Sequence, residues 1–343
     1  MYKNGERSMA WVAIIDDVTK HPDADFLDIC TVGGWKCVTK LGQYKKGDMI
    51  VYCSIDSFIP HEIAPFLSKG KEPREYEGVK GERLRTVKLK GQISQGLLLP
   101  LEPTCSMIES MLFEGLDVSN PLNIQKYEPP IPAQLKGLIK GNFPSRIPKT
   151  DEPRIQNLSR ELEEWKSKKY TWEVSEKCDG SSMTVYLLDE EFGVCSRNLD
   201  LKFDPNNTFW KVAISLNFEE KLRSYGKNIA IQGELVGNGV NGNIYKMTDH
   251  RFYLFNIYDI DKGEYYTSED RIKFSTEHSI DHVPTFMNIC LENVSIDILL
   301  QMAEEKSLVN HNIEREGLVF KCVEDPSISF KAISNKFLMK TGG

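Results

Sequence analysis

The 343-residue sequence predicts an α+β protein in two parts: a small N-terminal β-barrel, then a domain of antiparallel sheets flanked by helices. Three observations predict it. The chain is long enough for two cores. From about Met9 to Pro103, short β-like runs alternate with turn residues, as in "WVAIIDDVTK", "FLDICTVG", "WKCVTKLG", "DMIVYCSI", "RLRTVKLKG" and "SQGLLLPL". Beyond a proline-rich stretch, "YEPPIPAQLKG" (127–137), helical and strand-like periods mix. The expected division is a barrel over 1–126, a linker over 127–142 and a second domain over 143–343.

In the second domain, "TDEPRIQNLSRELEEWKSKK" opens with the capping residues Thr150 and Asp151 and a proline, and Ile155, Leu158, Leu162 and Trp165 recur at helical spacing. The strand "YTWEVSEK" follows. A helix is expected from Asn207 to Tyr225, stopped by Gly226, before the strand "IAIQGELVG". "FYLFNIYDI" has the composition of a buried strand, "SIDILLQMAEEKSL" reads as a helix, and "EGLVFKC" and "SISFKAI" read as strands.

Composition narrows the classes of function. With 40% hydrophobic and 27% charged residues, this is an ordinary globular balance. The longest apolar runs fall short of the roughly 20 residues a bilayer crossing needs, and "MYKNGERSMAWV" lacks the pattern of a secretory signal. A cytoplasmic or nuclear protein is expected, with no membrane and no obligate protein partner. The cysteines (30, 37, 53, 105, 178, 195, 290, 322) form no C-x-x-C pair, so reduced, buried thiols are expected. His278 and His282 stand four apart, a spacing that binds metal on a helix, but no third ligand accompanies them. A net charge of −7 argues against a uniformly cationic surface. Two basic clusters nevertheless stand out. One runs from Lys69 to Lys90 and the other comprises Lys136, Lys140, Arg146 and Lys149, with no acid between Ile131 and Thr150. Together they point to a phosphate-rich partner.

The stretch "EKCDGSSMTVY" (176–186) sets Lys177 between two acids and ahead of Gly180. A free lysine has a pKa of about 10.4, so few such amines are nucleophilic near neutral pH. Burial, neighbouring cations or a divalent metal lower that value, which is how lysine nucleophiles arise. Gly180 permits a close turn, and Asp179 offers an acceptor to a metal or its water.

Downstream follow, in order, "SRN" (196–198), "GEL" (233–235), "FYLFNIYD" (252–259), "EGLVFK" (316–321) and "SFKAISNKF" (329–337). With the lysine, this ordered set resembles the covalent nucleotidyltransferase superfamily of polynucleotide ligases and mRNA capping enzymes, over about Lys149 to Phe337. The front of the chain, through "HPDADFLDICTV" (21–32), "YKKGDMIVY" (44–52) and "LRTVKLKGQISQGLLLP" (84–100), resembles OB-fold modules of the tRNA-binding type. The resemblances imply an OB-fold barrel followed by a nucleotidyltransferase (ATP-grasp-like ligase) domain. Barrels of that kind present a strand face and loops to single-stranded or irregular nucleic acid. Trp11, Trp35 and Phe58 suit base stacking or core, and aromatic burial favours core.

The resemblance further implies that Lys177 attacks the α-phosphorus of a nucleoside triphosphate and carries the nucleotide as a phosphoramide. Glu176 would offer its backbone to the base edge, Phe255 would stack on the purine, and Arg197 would touch the sugar or an incoming phosphate. Asp179, Glu234 and Glu316 would hold Mg²⁺ or Mn²⁺, mostly through water. Lys331 would neutralise the α-phosphate, and Arg154 would meet the triphosphate. Two positions depart from the pattern. Asn256 stands where many relatives carry aspartate, and Ile333 stands where a second lysine is usual, with Lys336 a possible substitute contact.

Capping enzymes and most DNA ligases carry their OB domain behind the last of these motifs. Here the barrel precedes the motifs and the chain ends soon after them. That order most resembles ATP-dependent RNA ligases with an N-terminal OB module, which seal 3′-OH/5′-phosphate breaks. ATP, a divalent metal and RNA, as a nicked duplex or broken strands, are the implied cofactors and partner. The alternatives are a DNA ligase, a GTP-using capping enzyme, or an RNA-binding protein with an inactive transferase domain.

Overall fold

The structure is a computed structural model and describes residues 2–3, 6–105, 111–129, 131 and 137–341. Residues 130 and 132–136 of the expected linker, Lys136 among them, lie outside the described residues. The chain divides into two compact units. One comprises Met1–Pro130, Ile155–Arg160 and Leu338–Gly343; the other comprises Ile131–Arg154 and Glu161–Phe337.

The first unit is built from antiparallel strands. Asp17–Lys20, Leu27–Val32 and Trp35–Lys40 form one meander. Met49–Cys53 lies between Ala10–Ile14 and Leu97–Pro100, and Ser57–Pro60 lies between Gln125–Lys126 and Val79–Arg83. The Gln95 N–H donates to the Lys36 carbonyl (2.8 Å), joining the meander to the chain that follows the hairpin of Val87–Leu89 and Gln92–Ser94. Alternation buries Cys30 and Val32 on one strand and Trp35 and Cys37 on the next, around Trp11, Tyr52 and Leu98. Trp11, Trp35 and Phe58 are therefore core, at 8%, 1% and 1% exposure, the reading that aromatic burial favours. The Trp35 indole N–H donates to the Asn157 side-chain oxygen (2.8 Å), which ties residues 155–160 into this unit.

In the second unit, seven described strands form one antiparallel sheet. Its order is Ile139–Asn142, Leu199–Leu201, Glu191–Cys195, Ser181–Leu188, Ile229–Val236, Arg251–Asp259, Glu264–Tyr265. Met183, Val185 and Leu187 share one face with Ile229, Ile231 and Leu235 and pack on the helices Thr208–Ser215, Phe218–Tyr225 and Ser268–Glu277. Ser182 and Glu234, paired across two strands, point to the other face, because side chains alternate. A second antiparallel sheet runs Ile289–Cys290, Thr171–Lys177, Gly317–Cys322, Ser329–Ile333. Its apolar face carries Trp172, Phe320 and Phe330, with Trp165 of the helix Ser159–Lys168 stacked on Phe330 at 5.6 Å.

Four expectations change. The helix Asn207–Tyr225 is two helices, because Asn217 adopts a left-handed conformation (φ 53°) between them; Asn207 caps the first and Gly226 ends the second as expected. The helix after Ser295 stops at Met302, where the Arg315 guanidinium takes the carbonyls of Met302 (2.5 Å) and Ala303 (3.3 Å). Thr150 and Asp151 do not cap a helix. Pro153 disfavours helical backbone before it, its carbonyl accepts the Lys331 N–H (2.8 Å), and the α-helix begins only at Ser159. His278 and His282 do not share a helix: the helix ends at Glu277, and the His282 Nε2 accepts from the Arg271 Nε (2.9 Å).

Candidate active site

Lys177 ends its strand beside the glycine that opens the next one, and the register generates the site. Lys177 pairs with Gly317 and Gly317 with Ile333; Ser175 pairs with Val319 and Val319 with Lys331. Lys177, Lys331 and Ile333 consequently share one face. Glycine at 317 is dictated by crowding, since a Cβ there would lie 2.2 Å from the Ala332 carbonyl oxygen. Gly180 meets the same constraint, 2.3 Å from the Leu235 carbonyl oxygen. That close approach brings the turn carrying Asp179 against the strand carrying Glu234.

The Lys177 ammonium donates to Glu316 (2.7 Å), and both side chains are largely buried. Burial pulls the lysine pKa down, but the Glu316 and Glu234 carboxylates outweigh it and leave the value above its ordinary range. The expectation that its surroundings neutralise the amine is therefore reversed for the protein's own groups. Asp179 accepts from the Asn241 amide (2.6 Å), and its backbone N–H donates to the Tyr245 hydroxyl (2.9 Å). Burial, then the charge of Glu316, raises the Asp179 carboxyl to about 7; burial raises Glu234 to about 8, with Glu316 and Asp179 adding to it. Such carboxylates are short of positive charge, which suits a divalent cation. Among the described residues no three His, Cys, Asp or Glu side chains gather closely enough to ligate one directly.

Two further cations meet at Asp151. Lys331 donates to Asp151 (2.9 Å), whose other carboxylate oxygen is 3.3 Å from the Arg197 guanidinium. Burial lowers the Lys331 pKa, Asp151 opposes that, and the charge of Lys177 adds to the lowering. Arg154 pairs with Lys331 by a parallel backbone bridge. Lys336 makes its ion pair with Glu304 (3.5 Å), outside this cluster. Ile333, almost fully buried, occupies the row of Lys177.

Glu176 points to the other face of its strand, where its carboxylate accepts from the Ser307 hydroxyl (2.5 Å) and the Leu308 N–H (2.7 Å). Its backbone N–H donates to the Pro284 carbonyl (2.8 Å), and its own carbonyl faces the same strand edge. Phe255 is placed by a β-bulge. Gln232 pairs with Asn256 but Gly233 pairs with Leu254, so Phe255 is the extra residue and remains half-buried beside Cys178 and Tyr245. Lys321 donates to the Phe255 carbonyl (2.8 Å) and to the Asn256 side-chain oxygen, so Asn256 serves as a neutral acceptor for a buried amine.

Sequence reasoning did not place Asp151, Gln232, Asn241, Tyr245 or Lys321. Lys321 lies inside the quoted "EGLVFK", where strand alternation would have put it on the face of Lys177. Asn241 and Tyr245 sit in a turn-rich stretch with no periodic signal.

An RNA ligase family model matches residues 170–336, and an OB-fold domain model matches residues 9–101. No match was found among curated proteins. Among solved structures, the RNA ligase of Naegleria gruberi with pyrophosphate is 42% identical, with a TM-score of 0.89 over 98% of this chain and 99% of that one. The same ligase in mutant form with ATP and Mn is 41% identical (TM-score 0.88, 98% and 100% covered). A further mutant with AMP and Mn is 42% identical (TM-score 0.88, 97% and 98% covered). With that identity over nearly the whole of both chains, and with the lysine, carboxylates and cations gathered as described, the chain belongs to the RNA ligase family.

Proposed function

We infer that the chain is an ATP-dependent RNA ligase that joins 3′-OH and 5′-phosphate ends through a covalent lysyl-AMP at Lys177. The observation that carries this reading is one lysine at a strand end, walled by Glu316, Glu234 and Asp179, with Lys331 across the same sheet face. The solved relatives holding ATP with Mn, AMP with Mn, and pyrophosphate support it.

The Lys177 amine forms a bond to the α-phosphorus of ATP as the bond to pyrophosphate breaks, and the amine loses its proton. The RNA 5′-phosphate then takes the AMP from the lysine, breaking the P–N bond. Finally the neighbouring 3′-OH attacks that 5′-phosphate and AMP leaves. Lys331 and Arg197 hold phosphate charge, Arg154 meets the triphosphate, Phe255 packs on the base, and the Glu176 carbonyl meets its edge. Asp179, Glu234 and Glu316 would hold Mg²⁺ or Mn²⁺ through its water. The bound ion supplies the positive charge that favours the free amine and offsets charge on the phosphates. Lys336, paired with Glu304, is at most a peripheral phosphate contact. The barrel (1–126) grips RNA beside the break, residues 127–142 link, and residues 143–343 transfer the adenylate.

Incubation with α-labelled ATP and Mg²⁺ or Mn²⁺ labels the protein in this reading, and Lys177→Ala carries no label. A variant that still takes label sinks the assignment. Nicked duplexes with RNA or DNA on each side of the break separate RNA from DNA sealing, and labelled GTP separates ligase from capping chemistry.

A further inference from the structure

Asp151 lies in a segment that the proposed chemistry leaves without a role. The segment is held mainly by other contacts. The Gln232 amide donates to the Pro148 carbonyl (2.7 Å), Thr150 and Ser182 share a hydrogen bond (2.7 Å), and the Pro153 carbonyl accepts the Lys331 N–H (2.8 Å). The Asp151 side chain spans two cations, with one carboxylate oxygen 2.9 Å from Lys331 and the other 3.3 Å from Arg197. Its side chain is 46% exposed while that of Lys331 is 16% exposed, so the anion has more water to swing into than the cation.

We propose that the Asp151 carboxylate holds, from within the chain, the position a nucleotide phosphate takes between Lys331 and Arg197, and that nucleotide binding exchanges one anion for the other. The proposal rests on the ligase reading, which assigns phosphate to those two cations. Three features support it. A carboxylate with its oxygens on two separate cations imitates two oxygens of a phosphate. An ion pair whose carboxylate is half-exposed to water yields to a more highly charged anion. A buried Lys331 ammonium with no anion beside it would be costly, so a tethered carboxylate keeps this face folded until a phosphate arrives. ATP binding then carries a built-in competitor, which lowers apparent affinity and favours polyphosphates over singly charged anions.

The test compares wild type with Asp151→Asn and Asp151→Ser, with Asp151→Glu as the variant that keeps the charge. In self-adenylylation with α-labelled ATP, the two neutral variants are expected to lower KM for ATP by roughly three- to tenfold while kcat stays within about twofold. Asp151→Glu remains near wild type. In parallel, equilibrium binding of unlabelled ATP to Lys177→Ala is compared with the Lys177→Ala/Asp151→Asn double variant, which is expected to bind more tightly by the same factor. Added pyrophosphate should raise the melting temperature of Asp151→Asn more than that of wild type. An unchanged or raised KM, or a fall in kcat alone, overturns the place-holder and makes Asp151 a positioning residue. If wild type takes no label, the ligase reading fails, and the binding comparison still decides whether Asp151 competes with the nucleotide.

Discussion

In the proposed reaction, two requirements on the Lys177 amine pull against each other: it must be held in place, and it must lose its proton. Glu316 and Glu234 meet the first by charge and thereby oppose the second. The same crowding leaves Glu234 protonated up to about 8 in the folded chain, against about 4.3 when unfolded. The folded state then binds more protons between those values. The stability this group contributes is full below about 4 and is lost as pH rises toward 8. His282, pushed down to about 4 by burial, and Lys321, pushed down to about 7 by burial, titrate with the opposite sign, so the carboxyl is isolated by comparison with Glu234→Gln. In chelator, that variant should melt near wild type at pH 5 and on the order of 5 °C above it at pH 8. Mn²⁺ should narrow the gap by stabilising only wild type. A gap that shrinks as pH rises contradicts the arrangement.

At the scale of elements, the site depends on two strands approaching more closely than side chains allow. Gly317 stands between Lys177 and Ile333 in the register, with the Ala332 carbonyl where a Cβ would go. Gly317→Ala must part the strands Gly317–Cys322 and Ser329–Ile333 and shift Lys331 relative to Lys177. A loss of roughly 1–3 kcal/mol in stability is expected, as for overpacking, and self-adenylylation should fall by more than tenfold even where the variant remains folded. Denaturant unfolding beside the labelling assay separates the two effects. The bulge at Phe255 works in the same way: one extra residue turns an aromatic out of the helix-facing core, and Lys321 holds the bulged carbonyl.

For the molecule as a whole, a net charge of −7 coexists with local cations suited to RNA. Several cations of the 69–90 cluster are already paired, Lys80 with Glu72 and Arg83 with Asp56. On the hairpin of Val87–Leu89 and Gln92–Ser94, Lys88 and Lys90 are both exposed. Replacing both by alanine should weaken RNA sealing several-fold and reduce its salt dependence, with each lost phosphate contact lowering the log–log slope by about 1. The rate of self-adenylylation should be unchanged. Loss of label together with sealing would assign these lysines to nucleotide rather than RNA. No helix among the described residues is long and apolar enough to cross a membrane.

What the sequence alone determined was whatever is encoded locally or in order along the chain. Alternation marked the barrel strands, Asn207 and Gly226 bounded a helical stretch, and the succession from Lys177 through Glu234 and Phe255 to Lys331 carried the resemblance to polynucleotide ligases. Propensity cannot show where two distant segments meet. Only the tertiary structure decided that Asp151, read locally as a helix cap, reaches Lys331 across 180 positions. The same holds for Asn217 breaking a helix and for Ile333 lying in the row of Lys177. Each follows from register, close approach and burial, which are properties of paired segments and have no counterpart in a single one.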